Sequence, residues 1–210
     1  MNLSRLHWPV TALGPGRRAG IWFQGCSIGC KDCCSRDTWV AGPEHAVPIS
    51  DVIQWVAQRP SSAVEGFTIS GGEPFDQPDA LLALIAALRA LPSGPTQPDI
   101  LIYSGYPWKR LAEQHAAILA LADAVISEPF VNGRPADALR GSANQQMHLL
   151  SDLARKRYAA WQPPEPRQMQ SHFDGQVLWM IGIPRPGDLE RIRSRLGSAG
   201  VVVEGCSWLA

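Results

Sequence analysis

The sequence predicts an α/β fold with a mostly parallel sheet. Short apolar runs with the length of strands alternate with longer segments of helical periodicity, which is the pattern of consecutive βαβ units. The composition agrees, because 45% of the 210 residues are hydrophobic and only 18% are charged. That balance is enough for a packed core and argues against extended disorder.

Six segments have the character of strands, and four helices are predicted around them. The strand segments cover 20–25, 67–70, 100–103, 124–126, 177–181 and 201–203. Ser50 and Asp76 stand where N-caps of the first two helices are expected, and Pro60 ends the first. The second helix is predicted over 77–91, the third over 107–121, and the last ends at a C-cap on Gly197.

Polar motifs follow the first four predicted strands. In order they are a cysteine cluster, Gly71-Gly72-Glu73-Pro74, Tyr103-Ser104-Gly105-Tyr106 and Ser127-Glu128-Pro129. In parallel sheets and barrels, ligands bind beyond the carboxyl ends of the strands. We therefore expect these four motifs to converge on one site.

The expected cellular compartment follows from the absence of membrane-spanning and secretory segments in this sequence. Its longest apolar run, 80–88, has nine residues, whereas a membrane-spanning helix needs ~20. The N-terminal residues have no apolar core of a secretory signal, so we expect a cytoplasmic protein with reduced thiols and no membrane partner. Because 19 basic residues balance 19 acidic ones, we do not expect nucleic-acid binding.

The cysteine cluster has the spacing C-x₃-C-x₂-C, formed by Cys26, Cys30 and Cys33. Thiolates select zinc or iron–sulfur clusters. A structural zinc site would need a fourth ligand, such as Cys34 or a histidine. An iron–sulfur cluster on three thiolates would instead leave one iron open to a small molecule. Cys34 and Cys206 are expected to be packed residues.

The cysteine triplet after one strand and the Gly-Gly-Glu-Pro run after the next resemble the radical S-adenosylmethionine (SAM) superfamily. The resemblance is closest to the activating proteins of anaerobic ribonucleotide reductase. Four further segments carry it: 14–18 (GPGRR), 37–39 (DTW), 103–106 (YSGY) and 140–145 (RGSANQ). It implies a partial (β/α) barrel of the radical SAM type, with about six mostly parallel strands.

The same resemblance implies the cofactors and their residues. Cys26, Cys30 and Cys33 would hold a [4Fe–4S] cluster whose open iron binds SAM. Reductive cleavage of SAM would give a 5′-deoxyadenosyl radical that abstracts hydrogen, with no catalytic side chain beyond the cluster and cofactor. The SAM site would comprise Gly71, Gly72, Glu73, Pro74, Ser104, Arg140 and Asn144.

The chain also departs from this branch. Its fourth strand ends in Ser127-Glu128 instead of an Asp-Gly pair, and about 60 residues follow the last family segment. We expect a radical SAM core over 1–150, with the cluster loop at 26–33. An extension over 151–210, an irregular linker plus a strand–helix–strand unit, is expected to pack on the core.

Three functions stay open at this stage. One is activation of a glycyl radical enzyme, which requires a protein or peptide substrate and an electron donor such as flavodoxin or ferredoxin. Another is radical SAM modification of a peptide natural product or a nucleotide-like small molecule. The third is a zinc-binding structural module without radical chemistry.

Overall fold

The computed structural model describes residues 1–134, 137–164 and 169–209. Within these ranges, six strands form one open sheet in chain order. They are β1 (Leu3–Val10), β2 (Arg18–Phe23), β3 (Gly66–Gly71), β4 (Asp99–Tyr103), β5 (Ala124–Ser127) and β6 (Gln146–Leu149). Strands β2 to β5 are parallel, and β1 and β6 pair antiparallel at the two edges. The α/β class and the mostly parallel six-stranded sheet are confirmed.

Six α-helices occur in the described ranges, and all but the last pack on the two faces of this sheet. They are α1 (Ile49–Ala57), α2 (Pro78–Arg89), α3 (Trp108–Gln114), α4 (Ala116–Leu119), α5 (Asp152–Ala160) and α6 (Asp188–Ser198). The first four connect the parallel strands, and their apolar residues form the main core with Ile21, Ile69 and Ile102. Helix α5 packs on the opposite face, where Ala154 joins Leu101 and Ile126 in a second apolar cluster.

Several strand predictions were wrong. The edge strands β1 and β6 were not predicted, because both are only partly buried and lack a continuous apolar run. The segment 177–181 forms β8 (Leu178–Ile181), which pairs with β7 (Gln170–Phe173) in a separate two-stranded sheet. The segment 201–203 is not a strand, so the terminal strand–helix–strand unit is absent. Its Val202 is 84% exposed and has no neighbouring strand to pair with among the described residues.

The helices begin and end within a few residues of the predicted positions. Pro48 occupies the N-cap position of helix α1 without a side-chain capping bond, and Ser50 lies inside the helix. Asp76 ends a 3-10 turn (Pro74–Asp76), so that Gln77 caps α2. The predicted third helix is interrupted at His115, and Gly197 lies within α6, whose C-cap is Ala199.

A buried ion-pair network ties the sheet together at the amino ends of its parallel strands. Arg18 is fully buried, and its Nη1 and Nη2 donate to Asp99 Oδ1 and Oδ2, both at 2.9 Å. Arg18 Nε donates to Thr68 Oγ1 at 2.6 Å, while Arg157 Nη1 lies 2.9 Å from Asp99 Oδ1. Burial opposes the charge of Arg18, but Tyr158 and Asp99 outweigh it and raise the pKa of Arg18. The network is therefore satisfied and charged.

The C-terminal residues contact both the sheet and the cysteine loop. Ile181 of β8 is buried against Val10 and Leu13. Gln170 Nε2 donates to the Pro9 carbonyl oxygen at 3.0 Å. Ser207 Oγ donates to the Cys34 carbonyl oxygen at 2.7 Å. No helix in the described ranges is long and apolar enough to cross a membrane.

Candidate active site

A cavity of about 630 Å³ lies at the carboxyl ends of the parallel strands. Its walls come from three parts of the chain. The cysteine loop and the turns after β3 and β4 form one part, and residues between 130 and 145 form the second. The third comprises residues 182–187, Leu189, Glu190, Trp208 and Leu209. The predicted convergence is confirmed for the first three polar motifs, but it was wrong for Ser127-Glu128-Pro129, which does not line the cavity.

Backbone hydrogen bonds close the cysteine loop at its neck. Gly25 N donates to the Thr38 carbonyl oxygen at 2.8 Å, and Cys26 N donates to the Trp39 carbonyl oxygen at 3.0 Å. Gln24 Nε2 adds bonds to the carbonyl oxygens at 37 and 40. The ends of the loop are thus fixed while its cysteines face the cavity.

Cys26, Cys30 and Cys33 are half-buried and all line the cavity. Burial raises the pKa of the Cys26 and Cys30 thiols, and for Cys30 the neighbouring thiols act in the same direction. A metal that binds them must therefore displace protons, because the thiolate is the ligand.

This donor set fits an iron–sulfur cluster. Thiolates are its usual ligands, and three of them on one short loop leave one iron free of protein. In the parts of the chain that the structure describes, no three His, Cys, Asp or Glu side chains are arranged around a single metal ion. A [4Fe–4S] cluster requires a wider arrangement, since each thiolate binds a different iron. Cys34, which was expected to be packed, is instead exposed on the same loop and lines the same cavity.

The two glycines after β3 are required by close approach to the cysteine loop. Gly71 has φ +110°, and a Cβ there would lie 2.3 Å from the Phe23 carbonyl oxygen. A Cβ on Gly72 would lie 2.0 Å from the Gly25 carbonyl oxygen. Gly72 N and Glu73 N donate to these same two oxygens, each at 2.8 Å. The glycines therefore hold the turn against the neck of the cysteine loop.

Glu73 is buried and accepts three hydrogen bonds. Its Oε1 accepts from Ser104 Oγ at 2.9 Å and from Phe75 N at 3.0 Å, and its Oε2 accepts from Gly105 N at 2.7 Å. Burial outweighs these bonds and raises the pKa of Glu73 from 4.5 to about 7. An acid with this pKa becomes a stable carboxylate when a cation binds beside it.

The other predicted SAM residues lie farther from the cavity. Pro74 is buried at the first position of the 3-10 turn. Arg140 Nε donates to Asp137 Oδ2 at 2.8 Å, and its Nη1 donates to the Gln145 carbonyl oxygen at 2.9 Å. Asn144 Nδ2 donates to the Pro129 carbonyl oxygen at 2.8 Å, while its buried Oδ1 has no partner among the described residues. Neither Arg140 nor Asn144 lines the cavity, although the adjacent residues Gly141 and Gln145 do.

Two carboxylates that were not among the predicted SAM residues also form hydrogen bonds around the site. Asp76 binds the cysteine loop: its Oδ2 accepts from Ser27 N at 2.7 Å and its Oδ1 accepts from Ser27 Oγ at 2.9 Å. Glu128 adopts φ +82°, the left-handed region that favours glycine. Its Oε1 accepts from Trp108 N at 2.9 Å, at the start of α3. The departure at Ser127-Glu128 thus places a carboxylate at a helix end.

Tyr103 belongs to a motif that was expected at the site but was not among the predicted SAM residues. It lines the cavity from the end of β4, and its buried hydroxyl has no hydrogen-bond partner among the described residues. An unpaired hydroxyl cannot be recognised from sequence, because it depends on what surrounds the side chain in the fold.

Comparison with known proteins adds a family and its relatives. The model of the 4Fe-4S single cluster domain family matches residues 12–148. The anaerobic ribonucleoside-triphosphate reductase-activating protein of Vibrio cholerae is 26% identical over 147 residues, which is 68% of this chain and 94% of that protein. The protein of the same name from Escherichia coli K12 is 28% identical over 152 residues, 69% and 96% of the two chains. The pyruvate formate-lyase-activating enzyme of Listeria monocytogenes is 32% identical over 83 residues, 38% of this chain and 34% of that enzyme.

Proposed function

The chain belongs to the 4Fe-4S single cluster domain family, and from that premise we propose that it generates a glycyl radical on a partner reductase. It is a radical SAM enzyme of the activase type, with a [4Fe–4S] cluster and SAM as cofactors. The partner we propose is an anaerobic ribonucleoside-triphosphate reductase. Relatives named for activating that enzyme are matched over 94% and 96% of their length.

The observation that carries the proposal is the convergence of two distant motifs on one cavity. Cys26, Cys30 and Cys33 line it together with Glu73 and the two glycines before it. We assign the three cysteines as ligands of the cluster. We assign the SAM site to Gly71, Gly72, Glu73, Pro74, Ser104, Arg140 and Asn144, of which the last two act through the loop they hold.

The proposed core and extension are consecutive segments of the chain. Residues 1–150 form the radical SAM core and 151–210 the extension. The family match, which ends at residue 148, supports this boundary.

The residues of the chain bind and orient the cofactors. When bound, the reduced cluster supplies one electron to SAM, whose cleavage yields the 5′-deoxyadenosyl radical that abstracts a hydrogen atom. Glu73 would hold the ammonium of SAM, and it would release its proton to solvent when that cation binds. Ser104 Oγ donates to Glu73 Oε1 at 2.9 Å, so it fixes the orientation of that carboxylate.

A protein substrate suits the shape of the site. The cavity wall includes the exposed residues Asn132, Gly133 and Arg134, so the cavity is open to solvent on that side. A glycine in a loop of a partner can enter such an opening. The electron donor we propose is flavodoxin or ferredoxin, which would reduce the cluster.

The test is anaerobic reconstitution with iron and sulfide, followed by dithionite and SAM, with 5′-deoxyadenosine as the product measured. The anaerobic ribonucleoside-triphosphate reductase of the same organism is then added, and its glycyl radical is recorded by electron paramagnetic resonance. We expect a brown protein, 5′-deoxyadenosine, and the radical on the reductase. Replacing dithionite with reduced flavodoxin or ferredoxin tests the donor.

Two results would contradict the proposal in different ways. Cleavage of SAM without a radical on the reductase would reject the reductase as the substrate and favour a peptide natural product or a nucleotide-like small molecule. A colourless protein with tightly bound zinc and no cleavage would reject the assignment of the cysteines to a cluster.

A further inference from the structure

Asp76 binds the cysteine loop although it is not among the residues that line the cavity. Its Oδ2 accepts from Ser27 N at 2.7 Å, and its Oδ1 accepts from Ser27 Oγ at 2.9 Å. The Tyr106 hydroxyl, from the turn after β4, donates to the same Oδ1. One carboxylate therefore joins the cysteine loop to the turns that follow β3 and β4.

The contact is made directly beside the first of the three assigned cluster ligands. Gly25 N and Cys26 N donate to the opposite side of the loop and fix the main chain before the thiol. The two bonds from Ser27 to Asp76 fix the main chain after it. A main chain held on both sides restricts the directions in which the Cys26 thiolate can point, which is what an ordered ligand requires.

The carboxylate of Asp76 is held by hydrogen bonds and not by an ion pair. None of the ion pairs among the described residues includes Asp76. Tyr106, which is 7% exposed, keeps its hydroxyl on Asp76, while Arg110 Cζ lies over the Tyr106 ring at 3.6 Å from its centre. Asp76 thus brings a negative charge to the cysteine loop that no salt bridge neutralises.

A charge at this point affects the cluster that the loop would hold. The reduction potential of an iron–sulfur cluster depends on the charge around it, on hydrogen bonds to its sulfurs and on its exposure. Reduction adds an electron, so a carboxylate beside Cys26 opposes it by Coulomb repulsion, which is stronger at a half-buried site than in water. A cluster with a lower potential is, once reduced, a stronger donor of an electron to SAM.

Two other carboxylates near the loop are less suited to this role. Burial raises the pKa of Glu73 to about 7, so its charge is incomplete at neutral pH. The Asp32 side chain is 42% exposed, and its Oδ1 lies 4.0 Å from Arg36 Nη2. Solvent and that cation weaken the field of Asp32. Asp76 is half-buried and has neither of these features.

We propose that Asp76 is a positioning residue for the cluster: it orients Cys26 through Ser27, and its negative charge lowers the reduction potential. The proposal rests on one part of the proposed function, the assignment of the three cysteines as cluster ligands. It does not depend on which substrate is modified.

The first measurement is the midpoint potential of the reconstituted chain without SAM, from an anaerobic titration with dithionite followed by electron paramagnetic resonance. In Asp76→Asn, the ratio of reduced to oxidised cluster at a fixed potential should rise about tenfold, which is about 59 mV for a one-electron couple. Asp76→Glu retains the charge and should restore most of the wild-type potential. Ser27→Ala keeps both the charge and the main-chain donor, so its potential should stay close to that of the wild type.

Asp79→Asn is the matched control for Asp76→Asn. Asp79 lies three residues farther along the chain, is exposed in the first turn of α2, and does not line the cavity. It removes the same charge, and we expect the potential to stay at the wild-type value.

The second measurement uses the cluster-free chain and follows hydrogen exchange of the Ser27 amide by nuclear magnetic resonance. This amide donates to Asp76, so its exchange reports the bond directly. In Asp76→Asn, where the charged acceptor is lost, exchange should become about fivefold faster, the factor that one hydrogen bond contributes. In Asp79→Asn it should not change.

The outcomes distinguish this proposal from the proposed function. A wild-type chain that forms no cluster would overturn both. A wild-type cluster whose potential is the same in Asp76→Asn would overturn the role of Asp76 alone, and so would equal shifts in Asp76→Asn and Asp79→Asn. Unchanged exchange of the Ser27 amide in Asp76→Asn would reject the positioning of Cys26. If Asp76→Asn binds no iron, recovery of the iron content in Asp76→Glu supports the proposal, and its absence rejects it.

Discussion

Buried polar groups are paired differently at the two ends of the four parallel strands. At the amino ends, the Arg18 guanidinium is paired with both Asp99 oxygens, and its other donors bind Thr68 Oγ1 and the carbonyl oxygens of Pro15 and Phe67. At the carboxyl ends, Glu73 has a pKa raised to about 7 by burial, and the Tyr103 hydroxyl has no partner among the described residues. The buried polar groups at the amino end are thus hydrogen-bonded, whereas at the carboxyl end one buried hydroxyl lacks a partner among the described residues.

Backbone strain follows the same division. Both non-glycine residues with positive φ in the described chain, Asp32 and Glu128, lie at the carboxyl ends of strands or in the loops that extend from them. Asp32 lines the cavity, and its Oδ2 accepts from Asn132 Nδ2 at 3.1 Å. Strain and unpaired groups persist where the surrounding structure holds them, and they concentrate at functional sites. Stability should therefore depend on the amino end, and function on the carboxyl end.

The largest effect is expected at the carboxyl end, where one substitution should remove function and leave stability nearly unchanged. Cys30→Ala should abolish cluster incorporation and SAM cleavage, because a cluster on two thiolates has lost one of its three protein ligands. The unfolding free energy of the cluster-free chain should change by no more than about 1 kcal/mol, since Cys30 is only half-buried. Visible absorbance after reconstitution, 5′-deoxyadenosine and urea denaturation measure the three quantities.

Cys34→Ala and Cys206→Ala are the controls for this change. Both should retain the cluster and the cleavage activity. Loss of the cluster in Cys34→Ala would show that the assigned ligand set is wrong.

The second largest effect is expected at the amino end. Asp99→Asn keeps the size of the side chain but leaves Arg18 buried without its carboxylate, which should lower the unfolding free energy by about 3–5 kcal/mol. Urea denaturation of the cluster-free chain measures it. In the control Asp152→Asn, the exposed pair with Arg155 is lost and stability should hardly change. Equal effects of the two substitutions would remove the distinction between the ends.

The third prediction concerns the pH dependence that Glu73 causes. Its pKa is raised from 4.5 to about 7 in the folded chain, so the folded state holds a proton that the unfolded state has released between these values. The stability contributed by Glu73 is present below pH 4.5, falls as the pH rises, and is gone above pH 7. The loss amounts to about 3 kcal/mol.

Denaturation of wild type and Glu73→Gln across this pH range tests the prediction. The difference between their unfolding free energies should change by about 3 kcal/mol from pH 4.5 to pH 7. Saturating SAM should reduce that change in the wild type, since its ammonium stabilises the carboxylate. A constant difference in the absence of SAM would show that Glu73 is already ionised.

The smallest effect is expected from the Tyr158 hydroxyl at the amino end. Tyr158→Phe removes a hydroxyl that donates to Asp99 Oδ2 at 3.1 Å, while Arg18 still binds that oxygen. We expect the unfolding free energy to fall by about 1 kcal/mol, the usual contribution of one hydrogen bond. The radical formed per 5′-deoxyadenosine should not change. A change in that ratio would mean that the two ends are coupled.

The parallel strands were predictable because each is buried on both faces and therefore reads as a continuous apolar run. The predicted 67–70 became Gly66–Gly71, and the predicted 124–126 became Ala124–Ser127. The edge strand β1 was not predictable in this way, since it is half-buried and contains Pro9, which is tolerated at an edge. The apolar run 201–203 has strand propensity but forms no strand, because propensity needs a neighbouring strand to act on.

For the site, the local motifs were predictable and the long-range pairs were not. Three cysteines within eight residues, 26–33, point to one metal centre whatever the fold. Arg18 and Asp99 are 81 positions apart, and nothing in the sequence around either one indicates that they meet. Glu73 was expected to face a ligand, but its three hydrogen bonds within the chain depend on turns that only the folded sheet brings together.

The order of the six strands in the sheet also bears on how the chain folds during its synthesis. Each strand pairs with its neighbour in sequence, so pairing can proceed as residues leave the ribosome. Arg18 is an exception, because the carboxylate that neutralises it arrives 81 residues later, and Tyr158 later still. A guanidinium without a counter-charge is too costly to bury. The interface between β2 and β3 must therefore stay hydrated around Arg18 until Asp99 has been translated, which makes the closing of this end of the core a late event in the life of the nascent chain.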